Sequence, residues 1–181
     1  VIPAYNEAAH IGGLLERCQA LDPALIVVVN DASSDDTGAI LDGLAAQDDT
    51  GRLRVLHNNR NMGKQGSVRR ALRELTERGP RLDAVALIDG DGQHDPAELP
   101  ALAELLRTHH AVIGARSQRE MPIHRRMSNG LVNAGYALIG GVDFVDVQSG
   151  LRLYRFSAAM VLAEQLPEVG RYGIEHESLA I

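Results

Sequence analysis

The chain has 181 residues, 45% of them hydrophobic and 23% charged, a balance that belongs to one globular domain and excludes disordered and collagenous chains. Eighteen basic residues against 24 acidic ones leave a formal charge of -6, which excludes a general nucleic-acid binder. With 3% aromatic residues and no tryptophan, stacking platforms for single strands are excluded too, and the core has to be Leu, Val, Ile and Ala.

The elements follow in chain order. Short apolar runs ending in polar residues predict strands at 1–4, 25–31, 53–58, 84–91 and 111–116. Helical periodicity between them predicts helices at 7–21, 36–46, 64–78 and 97–107, with Asp35 or Asp36 and then Asp95-Pro96 at two of the N-termini. Alternation of this kind predicts an α/β fold, a mostly parallel sheet sandwiched between helices, with ligands gathered at the carboxyl ends of the strands. Residues 1–181 read as a single domain. The chain opens on Val1-Ile2-Pro3 without a methionine and stops at Ile181 inside an apolar-periodic stretch, so it is expected to be trimmed at both ends. The lone Cys18 is expected to be a buried thiol in a reducing compartment, with the cytoplasm as the expected location. Fifteen uncharged residues from Ser128 to Val142 are too short and too glycine-rich for a membrane span; they read as a packing helix or as an interfacial one, with Arg125 and Arg126 just before it.

The most informative segment is Leu87-Ile88-Asp89-Gly90-Asp91-Gly92-Gln93-His94, an apolar strand that ends in two carboxylates one residue apart. Residues i and i+2 of an extended segment face the same side, and like charges held close favour a cation between them. A hard ion such as Mg2+ or Mn2+ fits Asp89 and Asp91, with Gln93 as a neutral oxygen ligand. Gly90 and Gly92 would let a diphosphate come close to the backbone. A calcium loop of the EF-hand type fails here, because His94 stands where glycine is needed and Pro100 where glutamate is needed. Two upstream strand ends, Pro3-Ala4-Tyr5-Asn6-Glu7 and Val29-Asn30-Asp31, place acids at the same sheet edge. There Asp31 suits a nucleobase donor group and Glu7 suits ribose hydroxyls. Ser34, Asp35 and Asp36 read as helix capping residues, and His94 as structural.

These segments, together with Asn61-Met62-Gly63-Lys64, Val112-Ile113-Gly114-Ala115-Arg116 and Gln148-Ser149-Gly150-Leu151-Arg152, resemble the family 2 glycosyltransferases of the GT-A fold. Within that family the chain most resembles the polyprenyl-phosphate (dolichol-phosphate) mannosyl- and glucosyltransferases. The resemblance implies a donor pocket for a nucleotide sugar, GDP- or UDP-linked, formed by Pro3, Ala4, Tyr5, Glu7, Asp31, Gly63, Asp89, Gly90 and Asp91. It implies a metal site of Asp89, Asp91 and Gln93. Lys64 reads equally as a donor contact and as solvated surface. An acceptor phosphate is largely dianionic at neutral pH, its second pKa being about 6, so it needs positioning and no general base. Arg116, with Arg125 or Arg126, matches the arginines that hold that phosphate; Ser149 and Arg152 would shape the same site. The implied reaction moves a hexose with inversion to polyprenyl phosphate at the cytosolic membrane face, the chain being peripheral or anchored through a C-terminal extension. Asp89, Asp91 and Arg116 would carry the catalysis. The alternative is a hydroxyl acceptor with Asp146 as base. Glu175 and Glu177 resemble a late acidic motif of the same family.

Overall fold

The computed structural model describes residues 1–78, 80–114 and 149–168. The first half alternates as expected: β1 (Ile2–Ala4), α1 (Ile11–Gln19), β2 (Ile26–Asn30), α2 (Thr37–Ala46), β3 (Leu53–His57), α3 (Gly63–Arg78) and β4 (Ala84–Leu87). A 3-10 turn at Pro96–Glu98 leads into α4 (Leu99–Leu105), followed by β5 (Ala111–Ile113), β6 (Arg152–Arg155) and α5 (Phe156–Gln165). Strands β1, β2 and β3 pair in parallel, while β6 lies between β4 and β5 and runs antiparallel to both.

Two hydrogen bonds join the half-sheets. The Val1 amine donates to Ala86 O at 2.8 Å, and Ile88 N donates to Val1 O at 3.1 Å. Bonds from one residue to the positions on either side of its neighbour are the parallel pattern, so the strands run in the order β3-β2-β1-β4-β6-β5. Parallel β1, β2 and β4 therefore present their carboxyl ends along one edge.

Why the sheet is sandwiched is visible in β2, whose five residues are all buried. Side chains alternate across a strand. Val27 and Val29 enter the core made with Val68, Leu72 and Leu75 of α3 and Leu162 of α5, whereas Ile26 and Val28 enter the core made with Ile11, Leu14 and Leu15 of α1 and Leu41 of α2. The spacings 11, 14, 15, 18 in α1 and 68, 71, 72, 75 in α3 are the i, i+3, i+4, i+7 stripe of a helix with one apolar face. Cys18 ends the first stripe and is buried, as expected.

The first helix starts at Ile11, four residues later than its periodicity suggests, because Glu7 O is used by a tight turn that receives His10 N and Ile11 N. The fourth expected strand stops at Leu87, before the Asp-Gly-Asp-Gly turn. Asp95 caps the following turn by accepting from Ala97 N at 3.1 Å. Of the two acids that precede α2, Asp35 does the capping: its Oδ1 accepts from Thr37 N at 3.0 Å and from the Thr37 hydroxyl at 2.6 Å. Among the described residues no helix is long and apolar enough to cross a membrane.

Candidate active site

Three loops leave the carboxyl edge of the sheet and are tied to one another. The β1 loop turns at Asn6, which adopts φ 58°, and Asn6 Oδ1 accepts from Ser34 N at 2.8 Å. Glu7 N donates to Thr37 Oγ1 at 2.8 Å, and Ala8 N donates to Asp35 Oδ2 at 3.1 Å. The hydrogen bond from the Thr37 hydroxyl, with those from backbone amides, holds the Asp35 carboxyl below its usual range. These bonds fix the path of Tyr5 to Glu7 over the sheet edge.

Asp31, at the end of β2, is 3% exposed. Its Oδ1 accepts from Asn58 Nδ2 at 2.6 Å and from Met62 N at 2.7 Å, and its Oδ2 accepts from Gly63 N at 2.8 Å. A carboxylate has about four lone-pair positions, so one remains for a ligand. Gly63 adopts φ +75° as it opens α3, a conformation that favours glycine, and this aims the next residue, Lys64, into the site.

The third loop follows β4. A side chain at Gly90 would lie 3.1 Å from the Pro3 carbonyl oxygen, a tight contact that glycine avoids as the β4 loop lies against the β1 loop. Asp91 Oδ1 accepts from Gln93 N at 3.0 Å, which fixes the turn. Asp89 meets the lysine: Lys64 Nζ lies 2.8 Å from Oδ1 and donates to Oδ2 at 3.0 Å. On its other side, Asp89 packs on Gly150, where any β-carbon would overlap the carboxyl group.

The result is one cavity of about 180 Å3, lined by Pro3, Ala4, Tyr5, Glu7, Asp31, Lys64, Ser67, Asp89, Gly90 and Asp91. Four carboxylates face one ammonium there. Burial, then the charges of Asp91 and Asp89, push the Glu7 carboxyl above its ordinary value. A surplus of negative charge in a half-buried cleft repels an anionic ligand and attracts a cation.

Most residues expected to bind a donor are thus brought together, with Gly63 beneath them as the support of Asp31. Gln93 is exposed and contributes its backbone to the turn, outside the cavity lining. Ser149 and Arg152 are buried: the Ser149 hydroxyl accepts from Leu151 N at 3.2 Å, and Arg152 Nε donates to Ser149 O at 3.0 Å. They brace the segment carrying Gly150 and are not part of the cavity wall. Arg116, Arg125, Arg126, Asp146, Glu175, Glu177 and the stretch from Ser128 to Val142 lie outside the described residues. Sequence reasoning missed Ser67 and Asn58, and it quoted Gly150 within the Gln148–Arg152 segment without giving it a role. Ser67 left one signal, a buried hydroxyl just before the apolar stripe of α3, and it accepts from Asn58 Nδ2 at 3.1 Å.

Residues 1–162 match the family model described as Glycosyl transferase family 2. The chain belongs to this family. It is 32% identical over 181 residues to an undecaprenyl-phosphate mannosyltransferase of Micrococcus luteus, a match covering 97% of this chain and 73% of that protein. It is 34% identical over 161 residues to an undecaprenyl-phosphate 4-deoxy-4-formamido-L-arabinose transferase of Pseudomonas syringae, covering 86% of this chain and 46% of the relative. The fold is that of glucosyl-3-phosphoglycerate synthase from Mycobacterium tuberculosis, solved with Mn2+, UDP-glucose and glycerol 3-phosphate: the TM-score is 0.67 at 23% identity, over 98% of this chain and 62% of that one. This family 2 glycosyltransferase therefore has the GT-A architecture, and the cavity lies where its three tied loops converge.

Proposed function

We propose that this family 2 glycosyltransferase transfers a hexose, mannose or glucose, from a GDP- or UDP-linked donor to polyprenyl phosphate, with inversion, at the cytosolic face of a membrane. The observation that carries this reading is the single cavity in which the Pro3–Glu7 loop, Asp31 and the Asp89/Asp91 pair meet. The acceptor class rests on the likeness to the undecaprenyl-phosphate mannosyltransferase over nearly the whole chain.

Each residue has work to do in this reaction. Pro3 to Tyr5 and the remaining acceptor position of Asp31 receive the nucleoside. Glu7 faces the ribose. Hard carboxylate oxygens at Asp89 and Asp91, with an ammonium already on one of them, make a cation position that suits Mg2+ or Mn2+. The divalent ion held there would stabilise the negative charge that grows on the departing nucleoside diphosphate. Gly90 lets the diphosphate lie against the backbone. Arg116 and Arg125 or Arg126 position the acceptor phosphate, whose dianion attacks the anomeric carbon without needing a base to remove a proton.

The test is transfer of radiolabelled hexose from GDP-mannose and UDP-glucose to undecaprenyl phosphate, extracted into organic solvent, with Mn2+ or Mg2+ added. The expected result is metal-dependent incorporation from one donor, reduced at least about a hundredfold in Asp91→Ala, a loss on the scale of removing a main charge-stabilising group. Transfer to a water-soluble sugar with none to the lipid would overturn the acceptor assignment.

A further inference from the structure

Lys64 is the only lysine among 18 basic residues, and its ammonium lies on both oxygens of Asp89. Arginine serves everywhere else. The two cations differ in what they can give up: an arginine fork fits a carboxylate with two fixed bonds, whereas an ammonium is a compact charge on a flexible four-carbon stem. The backbone of Lys64 is pinned, since Gly63 N is held by Asp31, and the opposite side of Asp89 is closed by Gly150. A divalent ion that takes Asp89 must displace the Lys64 ammonium, and the cavity also holds Glu7 and Asp91, whose charges favour a cation staying.

We infer that Lys64 is an exchangeable counter-ion: it holds Asp89 while the cavity is empty, and moves to an oxygen of the donor diphosphate when a divalent ion takes its place. This inference rests on the donor-site reading given above. It makes metal and nucleotide bind together. A metal held by one or two carboxylates completes its shell with substrate phosphates. Metal alone takes a carboxylate from the ammonium and gives no anion in return, whereas metal with a diphosphate brings that ammonium a new anionic partner. The lysine is thus a positioning residue that suppresses occupation of the site by bare metal and rewards the metal-nucleotide pair.

The test compares the 181-residue chain with Lys64→Met and Lys64→Arg, reading bound Mn2+ from the loss of the free-ion electron paramagnetic resonance signal, with and without GDP or UDP. An opposite charge this close changes a carboxylate's affinity for a competing cation by roughly tenfold or more. Lys64→Met is therefore expected to bind Mn2+ alone about tenfold more tightly than the parent and to lose most of the gain in Mn2+ affinity that nucleotide brings. Lys64→Arg is expected to restore the resistance to bare Mn2+. In the parent chain, selective 13C labelling of lysine gives one ε-methylene resonance, which should move with Mg2+ plus nucleotide and stay in place with Mg2+ alone. Bare-metal affinity in Lys64→Met equal to or weaker than the parent's would overturn the exchange while leaving the donor site standing. Failure of the parent to bind any metal-nucleotide pair would overturn the donor site and this inference with it.

Discussion

Two residues decide the geometry of the acid cluster through what they hold or leave room for. Asp31 receives the amides of Met62 and Gly63 and the side chain of Asn58. Replacing it with alanine removes the acceptor of Met62 N, while Asn58 Nδ2 keeps the Ser67 hydroxyl and Gly63 N keeps Asn61 Oδ1. Asp31→Ala is expected to cost about 3 kcal/mol of stability, seen as a lower urea midpoint with an unchanged slope, since it removes three hydrogen bonds to a charged group, each contributing roughly 1.5 to 3 kcal/mol, and part of that is recovered through the remaining acceptors. Gly150 acts by having no side chain. Gly150→Ala pushes a methyl group into the Asp89 carboxyl, so the acid must shift. The expected outcome is a modest stability loss, about 1 to 3 kcal/mol as for other overpacked sites. Metal-dependent nucleotide affinity should fall by about tenfold or more, measured by calorimetry, since a few tenths of an ångström matter in a preorganised site.

At the scale of elements, the sequence announced what is periodic and hid what depends on distant partners. The helices with a clean stripe, α1 and α3, and the all-apolar β2 were legible because their burial is written in local spacing. Strand β6 was not: Arg152-Leu153-Tyr154-Arg155 is short, carries two arginines, and is a strand only because β4 and β5 flank it. Helix α5 escaped for a related reason, since its buried Ala158, Ala159 and Ala163 are too small to mark a face. The acids at the strand ends were readable from their spacing, whereas Gly150 behind Asp89 was not, because no local pattern reports a contact across 61 positions. Helix α1 offers its own check. Burial pushes the Cys18 thiol above its ordinary value of 9.0, outweighing the lowering by the amino terminus and Arg17. With the folded value above the unfolded one, this contribution to stability is fully present below pH 9.0 and is lost as the pH rises through the folded value. Alkylation of Cys18 at pH 8 is expected to be at least about tenfold slower than that of a free thiol until denaturant opens the helix. Rapid labelling of the native protein would contradict the packing of α1.

Across the whole molecule, the cavity straddles the join between the two half-sheets. Glu7 and Asp31 belong to the β1-β2-β3 side, Asp89 and Asp91 to the β4 side, and among the described residues the two bonds at Val1 stitch the strands across. A donor bound there touches both sides and so binds the folded form alone. At a ligand concentration one hundred times its dissociation constant, such binding adds about 2.7 kcal/mol. For a chain of this size that corresponds to an increase in Tm of roughly 5 to 10 °C. Scanning calorimetry with Mn2+ and nucleotide should show the rise in the parent chain and not in Asp91→Ala.

The placement of β6 also orders events during synthesis. A chain emerging from the ribosome has made Glu7, Asp31, Lys64, Asp89 and Asp91 long before Gly150 and the strand after it. Until Arg152–Arg155 slides between β4 and β5, β4 lacks its outer neighbour and Asp89 has no wall behind it. Every acid lining the cavity is therefore present in a nascent polypeptide whose Asp89 is still unsupported, and among the described strands the one translated last is the one that fixes it.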